Sequence, residues 1–180
     1  MAGMDRALLQ SINTEILKSV LEAGEKYNLK HLLRLLREYL EADIGFWFFV
    51  DGENIISMIF DEDSGTGIRL PPSQAHSRID VTGIPDVPRL YKNPLESLYG
   101  GVKFASSLKI PLYSDGNALM AVIEYGSVSR ILQKDKAVQV IGITKYLHNI
   151  YDSVYTDMRM FETNRKLRSD YSQTERQFRI

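Results

Sequence analysis

Four side chains in the segment "SSLKIPLYSDGNALMAVIEYGS" (Ser106–Ser127) bring a hydroxyl, an ammonium, a phenol and a carboxylate together at strand spacing. Asp115-Gly116 is a strong hairpin signal, because both central residues of such a turn need positive φ. Folding about it pairs Tyr113 with Ala118, Pro111 with Met120, Lys109 with Val122 and Ser107 with Glu124. Alternation then sets Ser107, Lys109, Tyr113 and Glu124 on one face, with Lys109 diagonal to Glu124 and within reach of a cross-strand ion pair. The opposite face, Leu108, Ile110, Leu112, Leu119, Ala121 and Ile123, is wholly apolar and calls for a cover of helices. A part-polar, part-apolar face suits the floor of a small-molecule pocket. Arg69 and Arg78, on short strands beside it, would hold an anionic ligand. The plainer alternative is a Lys109–Glu124 pair that neutralises itself on a half-covered sheet.

Other chemistries lack their residues. The absence of cysteine excludes disulfides, thiolate catalysis, Cys-ligated zinc and a thioether-linked chromophore. His31, His76 and His148 lie far apart without a paired metal spacing, and His76, in a loop, is the best placed of the three as an axial heme ligand. "SGTGIRL" lacks the Lys-Ser/Thr of a phosphate loop, and Ser106-Ser107 has no flanking glycine to make a nucleophile elbow. The carboxylates of "DEDSG" read as solvated loop charge. No enzyme activity is expected, and no cofactor is assigned. A net charge of −1 gives no basic field for nucleic acid or an acidic membrane. The longest apolar run, "IGFWFFV", is too short to span a bilayer, and no continuous apolar stretch marks a signal peptide, so the expectation is a cytoplasmic protein.

Hydrophobic periodicity supplies the elements that would position these groups. A first helix is expected from Asp5 to Ala23, with Leu8, Ile12, Ile16 and Val20 recurring on one side. A second begins after Asn28 as N-cap and carries Leu29, Leu32, Leu33, Leu36 and Leu40. "IGFWFFV-DG-ENIISMIF" reads as a hairpin turning on Asp51-Gly52. After a surface loop and a short "IRL" strand, residues 73–99 are irregular, with a strand at "SRIDV" and a short helix around "PRLYKNPLESLY"; Gly100-Gly101 leads back to the second hairpin. The last element is a helix from Lys134 to near the end, about 65 Å long at 1.5 Å per residue. Along it Val140, Ile143, Leu147, Ile150 and Val154 step as a coiled-coil seam. The phase slips after Val154 and resumes at Met160, Asn164, Leu167, Tyr171, Thr174 and Phe178, as a three-residue insertion would make it. With six basic and four acidic residues from Asp157 to Ile180, the tail is too balanced for a nucleic-acid arm.

This order of elements resembles a GAF domain, a relative of PAS domains. "FASSLKIPLYSDGNALMAVIEYGS" is similar to the family's last two strands, where a serine (here Ser107) precedes an apolar stretch ending in Pro-Leu (Pro111-Leu112). "RILQKDKAVQVIGITKYLHNIYDSV" is similar to its last helix, and "VTGIPDVPRLY", centred on Asp86, to its middle segment. The likeness runs from Leu29 to Val154. "RLPPSQAHSRID" is shorter than the family's usual segment there, which implies a reduced wall on one side of its pocket. Neither of the family's familiar ligands is supported. Asn93, Lys103 and Phe104 have the wrong spacing for cyclic-nucleotide binding, and in "GIPD" the aspartate follows Ile-Pro instead of preceding it as bilin binders require.

The expected fold is therefore α+β: a five- or six-stranded antiparallel sheet, helices on one face, and a long C-terminal helix. Residues 1–28 form an N-terminal helix, 29–154 the GAF-like domain, and 155–180 a coiled-coil signalling linker. The resemblance implies a sensory or regulatory domain that forms a homodimer, takes a small-molecule ligand, and signals through its C-terminal helix to an output domain of a larger protein. The alternative is a dimerisation module that binds no ligand, which a collapsed pocket face would favour.

Overall fold

The computed structural model describes residues 6–7, 10–11, 14, 25–68, 81–114, 117–146 and 163–177. Helix α1 (Glu25–Leu40) buries Leu29, Leu32, Leu33, Leu36 and Leu40 along one side. It starts upstream of the expected cap, so Asn28 lies within it. It ends at Glu41, whose left-handed φ of 57° lets the Ala42 N–H reach back to the Arg37 carbonyl at 3.1 Å. Of the expected first helix, Arg6, Ala7, Gln10, Ser11 and Thr14 are helical and exposed; its other residues lie outside the described set.

Strands β1 (Ile44–Asp51), β2 (Asn54–Glu62), β3 (Arg89–Tyr91), β6 (Ser106–Tyr113) and β7 (Leu119–Ser127) form one antiparallel sheet in the order β2-β1-β7-β6-β3. A small second ladder joins β4 (Leu95–Glu96) to β5 (Lys103–Phe104). The short helix expected around "PRLYKNPLESLY" is absent, and β3 and β4 occupy that stretch. Pro94 falls inside any helix over that stretch, where it lacks the N–H and clashes with the preceding turn, and it disfavours helical backbone at Asn93.

Both hairpins form, each with a register other than the one expected. In the first, Asp51 pairs with Asn54, so the turn is Gly52-Glu53, with left-handed φ (60°) at Gly52. An irregularity beside Val50 leaves Ile56 as an extra residue, so that Ile56 and Ser57 together stand against Phe49. In the second, Ser114–Ala118 makes a longer loop, with left-handed φ (60°) at Asn117 and hydrogen bonds from Ser114 N to Ala118 O (2.8 Å) and Asn117 N to Ser114 O (2.9 Å). Asp115 and Gly116 themselves lie outside the described residues. The longer loop shifts the pairing by one at Tyr113 and the extra residue at Met120 shifts it by one more, so Lys109 faces Glu124 directly instead of diagonally. A bulge beside Tyr113 then exchanges two side chains: Met120 enters the helix-side core, while Leu119, expected there, packs on the other face.

One face of the sheet is helix-covered. Trp47, Phe49, Leu108, Ile110, Leu112, Ala121, Ile123 and Tyr125 meet α1 and α2 (Lys134–Tyr146), which contributes Ala137, Val140 and Ile143. A polar contact ties α1 to the edge strand: Asp61, almost fully buried, accepts from Arg37 Nε at 2.6 Å and from Arg34 Nε at 3.0 Å. Residues 163–177 are also helical, and every one is exposed. No helix among the described residues is long and apolar enough to cross a membrane.

The bulge makes a prediction that separates it from simple alternation. Met120→Ala is expected to cost about 2–5 kcal/mol through cavity formation. Leu119→Ala, at a half-buried site, should cost less than half of that. Urea denaturation of both variants checks the order, and the reverse order would restore simple alternation.

Candidate functional site

On the face away from the helices, the β6–β7 register sets Lys109 against Glu124, at 2% and 0% exposure. The other strand neighbour of Glu124 is Phe46 of β1, whose ring stacks on Tyr99 at 5.3 Å and on Phe48 at 5.4 Å between centroids. Ile44, Phe46, Phe48, Val50, Val102 and Phe104 form the buried apolar part of this side. At Gly126 a Cβ would collide with the Phe104 ring, so only glycine lets that ring lie on the sheet.

The segment from Gly83 to Phe104 covers the pair. Gly100 and Gly101 hold φ of 85° and 72°, two left-handed positions in succession that glycine adopts without strain. The turn they close, with Ser97 N bonded to Val102 O at 2.8 Å, brings two donors down on the carboxylate. The Ser97 hydroxyl donates to Glu124 Oε1 at 2.5 Å, and the Leu98 N–H lies 3.1 Å from both carboxylate oxygens. Lys109 Nζ stands 3.8 Å from Glu124 Oε2, donates to the Gly83 carbonyl at 3.2 Å, and lies 5.2 Å from the centre of the Tyr91 ring. At that separation the pair attracts by charge more than by a charge-assisted hydrogen bond, which runs at about 2.8 Å. Burial pushes the Glu124 carboxyl above the usual carboxylate range, against the pull of Ser97, Lys109 and the Leu98 N–H in the other direction.

The other expected site residues are placed less closely. Ser107 is fully buried on β6, and its Oγ has no hydrogen-bond partner among the described residues. Tyr113 lies four residues along the strand from Lys109, about 13 Å away. It borders a hollow of about 310 Å³ with Pro111, Leu112 and Lys145, and burial, then the Asp86 carboxylate, raises its phenol. Arg69, Arg78 and His76 lie outside the described residues, as do Leu147, Ile150 and Val154 of the seam. Val140 and Ile143 are fully buried in the domain's own helix-side core. Among the described residues no three of His, Asp and Glu gather as a metal site.

Sequence reasoning missed Gly83, Tyr91, Ser97 and Leu98, the groups that meet the pair from the cover. None carries a local signal: they come from three separate segments, and only Gly100-Gly101 announces the turn that delivers Ser97. The arrangement fixes a charge pair and holds the cover to the sheet. It leaves Glu124 no open side, among the described residues, from which to act as a base.

The fold is that of a GAF domain. Over 83% of this chain and 95% of the other, it matches the GAF domain of a phosphoenolpyruvate-protein phosphotransferase from Coxiella burnetii, with a TM-score of 0.59 at 14% identity. It is similar to the free methionine-R-sulfoxide reductase of Neisseria meningitidis, solved in complex with its substrate, over 81% and 88% of the two chains (TM-score 0.56, 14% identity). It is also similar to a bacteriophytochrome from R. palustris over 91% of this chain and 41% of that one (TM-score 0.58, 13% identity). No protein-family model and no curated protein matches the sequence.

The raised Glu124 carboxyl predicts a pH dependence with a definite sign. Between its unfolded and folded pKa values the native state holds more protons, so the stability this group contributes is full below the usual carboxylate range and is lost as pH climbs through the raised value. The stability of wild type relative to Glu124→Gln is expected to fall from about pH 4 upward and then level off. Chemical denaturation across pH checks this, and a flat difference contradicts it. Lys109→Met alone leaves a fully buried carboxylate without its cation and is expected to cost about 3–5 kcal/mol at pH 8. The loss should shrink at pH 5, where Glu124 takes up a proton more readily, and Lys109→Met/Glu124→Gln should recover most of it.

Proposed function

We propose that this chain is a regulatory module whose sheet face is filled by its own side chains and whose signal passes through its C-terminal helix, within a homodimer, to an output domain or partner protein. The observation that carries the reading is the helix at residues 163–177. All of its residues are exposed, with Leu167 and Tyr171 at 61% and 70% exposure and four residues apart on one side. Most of a helix's stability in a protein comes from packing an apolar face, and these described residues bury none, so this stretch calls for a partner. Leu147, Ile150 and Val154 continue the spacing of Val140 and Ile143 along the sequence and would begin the shared seam. The occupied face, with Lys109 and Glu124 paired and Phe46 stacked on Tyr99, favours a module that works without a ligand. A cytoplasmic site of action belongs to the same reading.

A second reading, small-molecule sensing on that face, draws on one observation: the Ser107 hydroxyl, fully buried beside Lys109 with no described partner, is a polar group that a ligand would satisfy. An enzyme is the weakest reading. The similar reductases act on a sulfoxide, and reduction through a protein thiolate has no starting group in these 180 residues, which contain no cysteine.

Sedimentation at roughly tens of micromolar is expected to give a dimer, a concentration at which specific dimers are populated. Ile150→Glu, which would bury a charge in the seam, should give a folded monomer. A monomeric wild type would overturn the proposal.

A further inference from the structure

The cation held under the cover is the chain's own. Lys109 Nζ meets a buried carboxylate (Glu124), a backbone carbonyl (Gly83 O) and the face of an aromatic ring (Tyr91). A negative charge, an oriented acceptor and a ring face are the groups that recognise a primary ammonium in a desolvated site. They are contributed by separate parts of the chain: Gly83 from the short 3-10 turn Val81–Gly83, Tyr91 from β3, Glu124 from β7. The cation is therefore the common point at which the cover meets the sheet.

We propose that Glu124, the Gly83 carbonyl and the Tyr91 ring form a binding site for a primary alkylammonium, and that the Lys109 side chain is its resident, tethered ligand. The occupant keeps the site closed to diffusible amines and docks the Gly83–Phe104 segment on the sheet. The chemical class follows from the contacts. The Gly83 carbonyl needs an N–H donor, so a quaternary ammonium does not suit, and Glu124 needs a positive charge, so a neutral alcohol does not either. Truncating Lys109 to alanine removes Cγ, Cδ, Cε and Nζ, and the missing piece is n-propylammonium.

The inference rests on the reading of this face as self-filled and is independent of the dimer, whose test is sedimentation. The experiment measures the thermal midpoint of wild type, Lys109→Ala and Lys109→Ala/Glu124→Gln at pH 8, with and without about 50 mM n-propylammonium chloride, against equal sodium chloride, tetramethylammonium chloride and propanol. Lys109→Ala is expected to gain about 3 °C or more with propylammonium, because a ligand that binds only the folded state raises its midpoint. Wild type, the double variant and the three control solutes are expected to show no such gain. Equal gains in wild type and Lys109→Ala, or none in a folded Lys109→Ala, would overturn the proposal. Lys109→Met covers the case in which the alanine variant does not fold. Its Leu98 amide, which is hydrogen-bonded to Glu124, should lose at least about tenfold of its hydrogen-exchange protection, while Tyr125 in mid-strand keeps its own. Undiminished protection at Leu98 would equally overturn the idea that the cation holds the cover down.

Discussion

Glu124 is shut off from water, and a carboxylate so placed must have its charge met by protein groups. Most of what lies on that side of the sheet is arranged to meet it. Two left-handed glycines exist to make a turn tight enough to aim the Ser97 hydroxyl and the Leu98 N–H at one residue. Lys109 supplies the counter-charge and donates to the Gly83 carbonyl. The aromatic rings follow from the same demand. Phe46, stacked between Phe48 and Tyr99, closes off the apolar flank of the pair and keeps its surroundings dry.

The same two strands organise the other end of the domain by a second polar cluster. Asp43 accepts from the Ser127 hydroxyl at 3.0 Å and from the Val128 N–H at 2.9 Å. The Ser127 Oγ accepts in turn from Arg130 N, while the Ser106 hydroxyl donates to the Arg130 carbonyl and accepts from Leu132 N. These bonds satisfy a connection that would otherwise carry unpaired backbone into the core. They also deliver Leu132 to the helix-side core just before α2 begins at Lys134. Ser106 and Ser127 oppose each other three positions from Lys109 and Glu124, so one hairpin fixes both the cover on one side and the departure of the C-terminal helix on the other.

What could be read from the sequence follows from how local each signal is. Leucines at helical spacing identified α1, and alternation around two Asp-Gly pairs identified both hairpins and the helix-covered face, because those patterns need only neighbouring residues. Register was less legible. Asp-Gly marks a turn but not its length, and the extra residues at Ile56 and Met120 follow from packing on both faces, which no local pattern encodes. The identity of the charged pair was legible and its geometry was not; the irregular stretch up to Tyr99 could be expected to lie over that face, but its contacting groups were missed because Gly83, Tyr91 and Ser97 converge on Lys109 and Glu124 from far along the chain. Val140 and Ile143 show the opposite error. Their spacing suits a coiled coil and a domain core equally well, and the structure places both in the core.

The pair also bears on how that register is chosen. A slip of one residue would turn the apolar face to the wrong side and is excluded by hydrophobic burial alone. A slip of two exchanges only Leu119 and Met120, both apolar, and keeps the other side chains of β6 and β7 on their proper faces, so the apolar pattern cannot reject it. That slipped ladder is the one a two-residue turn at Asp115-Gly116 would give, with Lys109 opposite Val122 and Glu124 opposite Ser107. It would move the two charges from direct opposition to a diagonal, where cross-strand neighbours stand about 7–8 Å apart, while keeping both in the sheet's interior, and so would weaken the attraction that offsets their burial. A buried ion pair adds little net stability over an apolar pair of the same volume, because desolvation offsets the attraction. Its cost falls on both registers, while its attraction is stronger in the observed one. In this hairpin Lys109 and Glu124 therefore act on register more than on stability, and by holding the longer Ser114–Ala118 loop they set where the cover must dock.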